Sequence, residues 1–294
     1  MEAFGCLVPR SIDEALELLK RDGAVPIAGG TDLLLAVRKK VMRPKWLVDI
    51  TALGLDYLRQ DKDFVMVGAG TTFAQILDSG MVSRKILVLA EAAASVGSVQ
   101  IRNLATIGGN LCAAVPSADS APALVVLESK ALVMGVDGPR SLALMDLFAG
   151  PKKTVLKQTE LLTEVQVPLP PPGTGACFLK AGRRRAMSLA VVNAAVSVRR
   201  APDGVTVEDV RIALGAVAPT PVRAVHAEQA LRGQPFSSEL VEEAASAVAG
   251  DIAPISDIRA TAEHRRDLSR VLVQRALHKA WERADLWGER ADGR

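Results

Sequence analysis

With 294 residues the chain is long enough for one large or two ordinary domains, and an apolar fraction of 49% is enough for a full core. Basic and acidic residues nearly balance, 36 against 33, leaving a net charge of +3. That balance gives no case for nucleic acid, which usually demands a basic face with reading or stacking groups.

The first well-marked helix opens at Ser11, three residues before Glu14, which is capping-box spacing. Ile12, Ala15, Leu16 and Leu19 share one face, and Gly23 ends the segment. AVPIA reads as a short strand, TDLLLAVRKK as the next helix, and WLVDI after Pro44 as another buried strand. Strand and helix thus alternate through roughly the first 55 residues. FVMVGAG repeats the strand-then-glycine pattern. TFAQILDSG follows as a helix, with Thr72 and Gln75 at capping-box spacing and Gly80 as its stop. RKILVLAEAAASVGS reads as one long buried helix. The glycine-rich, polar stretch IRNLATIGGNLCAAVPSADSAPALVVLE enters a helix near Ser120, and ALVMGVDGPRSLAL reads as a hairpin with Asp137-Gly138 at its turn.

LLTEVQVPLPPPG ends a strand in a proline-rich break, Pro168 to Gly173, which is the best domain boundary. Beyond it lie two long strands joined at Pro202–Gly204 and then three helical stretches, an α+β arrangement. The last helix, Ala262 to Trp287, carries Leu268, Val271, Leu272 and Trp281 at helical spacing, which reads as core packing. The expected division is 1–172, with subdomains of about 1–55 and 56–172, then 173–287, then a charged tail 288–294.

Cys6, Cys112 and Cys177 are widely separated, and His226, His264 and His278 stand far from any cysteine pair. No zinc or iron–sulfur site is expected within this chain. The sparse, odd cysteine count fits a reducing compartment. The opening residues do not read as a signal peptide, and no apolar run approaches the ~20 residues of a membrane helix. Only 3% of residues are aromatic, with Tyr57 the one tyrosine, so a large planar ligand would be gripped by aliphatic side chains and backbone. Lys180, Arg183, Arg184 and Arg185 form the one dense basic cluster, read either as a solvated loop or as an anion or partner contact.

Two loops share a chemical logic: Ala28-Gly29-Gly30-Thr31-Asp32 and Thr106-Ile107-Gly108-Gly109-Asn110. Paired glycines let backbone amides converge on one concavity, and a following helix start adds partial positive charge. Thr31, Thr106 and Asn110 add side-chain donors. Neither loop is GxGxxG or a P-loop. Either alone is most simply a turn. Two cradles together suit a pyrophosphate.

AGGTDLL, VGAGTTFAQIL, IRNLATIGGNLCAAVPSADSAPAL and FLKAGRRRAMSLAVVNAAV resemble, in this order and over nearly the whole chain, the FAD-binding medium subunit of the molybdenum hydroxylases. The resemblance implies a vanillyl-alcohol-oxidase-type (PCMH-type) FAD-binding domain made of two α/β subdomains, followed by a separate C-terminal α+β domain. It implies that Ile27 to Asp32 and Thr106 to Asn110 wrap the FAD pyrophosphate. By the same resemblance Asp119 contacts the adenosine half, Leu162 packs near the flavin, and Lys180 lies near its ring, where its charge would favour the anionic reduced form. Taken alone, Asp119 reads equally as the cap of the helix that follows it. Ser188 departs from the aspartate of many relatives, and the scarcity of tyrosine argues against an aromatic shield over the flavin.

The resemblance further implies one subunit of three, often in a dimer of heterotrimers. A large subunit would hold molybdopterin-Mo and a small one the [2Fe-2S] clusters; this chain would pass electrons from FAD to an external acceptor. Its location would be cytoplasmic, or peripheral at the inner membrane face through the complex. The rival readings are a self-contained FAD-dependent reductase or diaphorase and a non-enzymatic nucleotide-binding module. No histidine precedes His226, so a histidine tether to flavin in the N-terminal domain is excluded.

Overall fold

A computed structural model describes residues 4–184 and 187–285. Arg185 of the basic cluster, Trp287 and the tail expected at 288–294 lie outside the described residues. The chain divides into two units, neither contiguous in sequence. One takes the residues up to Asp78 together with Ser98–Ala114 and Ser129–Pro168; the other takes Ser79–Gly97, Val115–Glu128 and the chain from Leu169 onward.

The first unit holds three sheets, the smallest a two-stranded pairing of Phe148–Gly150 with Lys153–Thr154. Strands Gly5–Leu7, Trp46–Asp49 and Ala24–Ile27 form a small parallel sheet with Trp46–Asp49 in its centre. Helix Ile12–Leu19 buries Ala15, Leu16 and Leu19 against it, each buried leucine stabilising by roughly 1.5–3 kcal/mol. Ser11 caps this helix by accepting the Glu14 amide, while Glu14 reaches back to the amide of Arg10. The second sheet is antiparallel, in the order Leu58–Asp61, Phe64–Gly68, Glu160–Pro168, Lys130–Gly135, Gly138–Ala143. Thr72 and Gln75 form the expected reciprocal cap of helix Phe73–Asp78. The hairpin turn is Val136–Asp137, one residue earlier than Asp137-Gly138, because Gly135 and Gly138 already pair in the ladder.

The second unit is built on an antiparallel sheet of strands Thr174–Gly182, Ala190–Arg200, Val207–Gly215 and Val222–Arg223. Helix Ala262–Asp285 packs on its first two strands, with Leu272 in the core and Leu268 and Trp281 packed against it. The approach is so close that a Cβ at Gly175 would overlap the Ala280 carbonyl. The run read as one long helix is two, Gly80–Lys85 and Leu87–Ser95, parted at Ile86, whose φ of −137° is not helical. Gly80 starts a helix instead of stopping one, because Ser79 caps it by accepting the Val82 amide. Among the described residues no helix is long and apolar enough to cross a membrane.

Candidate functional site

In the first unit the chain folds so that its two glycine loops meet. The first loop leaves strand Ala24–Ile27, and Gly30 takes a positive φ of +69° that favours glycine. Gly29 lies directly against the chain entering the second loop, so closely that a Cβ would overlap the Leu104 carbonyl. Among the described residues, the amides of Gly29, Gly30, Thr31 and Asp32 donate to no protein acceptor. Successive unpaired amides around a positive-φ glycine form a concavity for anionic oxygens. Helix Leu33–Arg38 is under two turns long and Asp32 makes no capping bond, so these amides, more than a helix dipole, supply the positive field.

The second glycine segment, expected as a loop, is instead the first turn of helix Ile107–Ala113, with Thr106 alone outside it as the N-cap. Thr106 accepts the Gly109 amide through Oγ1 at 3.0 Å, capping helix Ile107–Ala113. The amide of Ile107 goes to the Thr71 carbonyl and that of Gly108 to Ala69, each at 2.9 Å, while Asn110 donates to Thr106. The amides of Ile107 to Asn110 are therefore occupied within the fold. Gly108 is glycine because a Cβ would fall 2.7 Å from Ala69. What this loop offers a ligand is the exposed backbone of Gly109 and the half-exposed Asn110. Residues 69–72 hold the loop in place, a role that the reading of VGAGTTFAQIL as strand and helix missed. The doubled use of Gly68 and Gly70, both pressed on Leu55, is the signal that could have shown it.

Leu162 is buried in strand Glu160–Pro168, beside a break in ladder register between Leu162 and Glu164. At this break the Thr163 carbonyl accepts the Ala69 amide at 2.9 Å. The strand carrying Leu162 is thus tied to the segment that carries the second loop. On the same sheet Tyr57 donates to Glu164 at 2.7 Å, and burial followed by that bond pushes its phenol up to about 12.

Asp119 and Lys180 belong to the second unit, where they meet each other. Lys180 Nζ donates to Asp119 Oδ2 at 2.5 Å and to the Ser95 carbonyl at 3.0 Å; Asn193 Nδ2 donates to Asp119 Oδ1 at 2.8 Å. Burial pushes the Asp119 carboxyl up, opposed by the charge and hydrogen bonds of Lys180, Asn193 and Ser95. Asp119 does not cap the helix that follows it. Lys180 lines a cleft of about 540 Å³ with Glu91, Ser95, Phe178, Arg184 and Ser188. Ser188 itself accepts the Arg183 amide at 3.1 Å. Asn193 and Ser95 were not legible as site residues, since only sheet register and tertiary packing bring them to Lys180. Among the described residues no group of three or more His, Cys, Asp or Glu is arranged to hold a metal ion.

Residues 2–170 match the family described as the FAD binding domain in molybdopterin dehydrogenase, and residues 177–280 match the CO dehydrogenase flavoprotein C-terminal domain. The chain is 32% identical to the glyceraldehyde dehydrogenase medium chain of Sulfolobus acidocaldarius, over 93% of this chain and 97% of that one. To the carbon monoxide dehydrogenase medium chain of Hydrogenophaga pseudoflava it is 33% identical, over 94% and 96% of the two chains. A solved structure of carbon monoxide dehydrogenase from that organism, lacking the Mo-pyranopterin moiety, superposes with a TM-score of 0.92 over 95% of this chain and 98% of that one, at 34% identity.

Proposed function

We propose, since this chain belongs to the family of FAD-binding medium subunits of the molybdenum hydroxylases, that it holds FAD and serves as the electron outlet of a multi-subunit dehydrogenase. In this reading electrons arrive from a [2Fe-2S] subunit, a large subunit carries molybdopterin-Mo and oxidises the substrate, and this chain passes electrons to an external acceptor. The assembly would be a dimer of heterotrimers, in the cytoplasm or at the inner membrane face.

The observation that carries the reading is the row of four unpaired amides from Gly29 to Asp32, held against Leu104 by a contact that only glycine permits. These amides would bind the pyrophosphate oxygens, with Ile27 and Ala28 leading the chain into the turn. Gly109 would let the ligand approach the backbone, Asn110 would add a side-chain amide, and Thr106, Ile107 and Gly108 would fix the loop's shape. Leu162 would supply apolar contact near the flavin. Asp119 is assigned to the adenosine half by resemblance, although both of its oxygens already accept hydrogen bonds. Lys180 would place a positive charge beside the flavin ring and favour its anionic reduced form. FAD, when bound, supplies the redox chemistry, and no side-chain nucleophile or general base is required of this chain.

The test is the visible spectrum of the purified full chain, with mass spectrometry of what heat releases. An oxidised-flavin spectrum and released FAD support the reading. A colourless chain that also fails to take up added FAD refutes it.

A further inference from the structure

Sheet register brings together polar side chains from three separate segments. Lys180 and Asn193 are directly opposed on neighbouring strands, so both emerge on one face of the sheet, toward Asp119. Asn193 is fully buried and spends its amide group on Asp119 and, at 3.3 Å, on the Ala118 carbonyl. Its own Oδ1 has no partner among the described residues. That oxygen sits against Gly215, where a Cβ would overlap it. A buried amide whose acceptor end is unused is kept for what its donor end does.

Two of the three ammonium N–H bonds of Lys180 are spent on Asp119 and Ser95, and Lys180 lines the cleft. We infer that Asn193 is a positioning residue: by donating to Asp119 it lets that carboxylate be satisfied without drawing Lys180 fully away, leaving one ammonium N–H for the cleft. This rests on the preceding reading, in which the flavin end of FAD is the ligand beside Lys180. Without the Asn193 donor, Asp119 pulls the ammonium inward. The positive end of the pair then no longer faces the cleft, and the two-electron midpoint potential of bound flavin falls.

The experiment uses the full chain and two variants. Asn193→Leu keeps the volume and removes the donor; Gly215→Ala keeps Asn193 and displaces its amide. With FAD bound, both variants are expected to lose about tenfold in preference for reduced over oxidised flavin, equivalent to about 30 mV for a two-electron couple. In the flavin-free chain, the ε-methylene ¹³C resonance of Lys180, assigned by its disappearance in Lys180→Arg, is expected to move in both. An unmoved resonance in a folded variant overturns the proposal, as does an unchanged potential. If Asn193→Leu does not fold, Gly215→Ala decides alone. A parent chain that binds no FAD sinks the preceding reading, while the resonance still decides whether Asn193 positions Lys180.

Discussion

Gly109→Ala separates holding a ligand from holding the fold. Gly109 is exposed within helix Ile107–Ala113, where alanine is favoured over glycine by about 0.8–1.0 kcal/mol. The added methyl would meet one atom within 4 Å, Thr106 Oγ1 at 2.9 Å. That hydroxyl caps the helix, and displacing such a cap costs about 1 kcal/mol. The two terms oppose and nearly cancel, so the unliganded chain should keep its unfolding free energy within about 1 kcal/mol. The methyl nonetheless covers backbone that the ligand is expected to approach, and FAD affinity should fall about tenfold or more, at least ~1.4 kcal/mol. Gly29→Ala behaves differently: its methyl has nowhere to go but the Leu104 backbone, an overpacking that costs about 1–3 kcal/mol of stability. Urea unfolding of the flavin-free chain and flavin-fluorescence titration give the two quantities. Should Gly109→Ala bind FAD within about threefold of the parent, the role assigned to the second loop is wrong.

Burial pushes Asp257 up, but the amide of Arg259, the Arg265 guanidinium and the amide of Ala260 outweigh it and hold the carboxyl at about 2. Its folded value is depressed, so its stabilisation is present above the ordinary aspartate range of about 3.9 and lost as pH falls toward 2. Asp257→Asn should therefore flatten the decline in melting temperature over that window, as read by thermal unfolding at stepped pH. Glu91 accepts from Arg283 at 2.5 Å and 3.1 Å and from the Phe178 amide at 2.9 Å. Glu91→Gln should cost about 1–3 kcal/mol in urea unfolding, and no loss would mean the pair is dispensable. Cys177 is buried, and burial followed by the charge of Glu91 pushes its thiol up to about 11, whereas Cys6 is exposed. Maleimide labelling followed by peptide mass analysis should find Cys6 modified in the native chain and Cys177 only after denaturation.

Local chemistry was legible where it acts over a few residues. Ser11 with Glu14 and Thr72 with Gln75 announce their caps, and Gly29-Gly30 announces a turn, whereas the like-looking Gly108-Gly109 lies within a helix. Long-range consequences were not legible. Nothing in TIGGN says that the amides of Ile107 and Gly108 are consumed by Thr71 and Ala69, whereas those of GGTD are left unpaired. Ile86 is as apolar as its neighbours, so helical periodicity runs straight through the break that tertiary packing imposes there. Asn193 reads as an interruption in an apolar strand, and only its register opposite Lys180 gives it a partner in Asp119.

The interleaving of the two units bears on how the chain comes off the ribosome. Three segments make each unit, so the polypeptide passes from one to the other five times before its end. Helices Leu87–Ser95 and Ser120–Val126 are synthesised well before the sheet they pack with, which begins at Thr174. Until that sheet emerges, the apolar faces that Leu87–Ser95 and Ser120–Val126 turn toward it are uncovered. The nascent chain must carry them unmatched through much of translation, a window in which a holding chaperone would have most to gain. For the same reason no single cut in the gene yields two self-sufficient halves. Fragments divided at the proline break would each be expected to lack helices or sheet that the other retains.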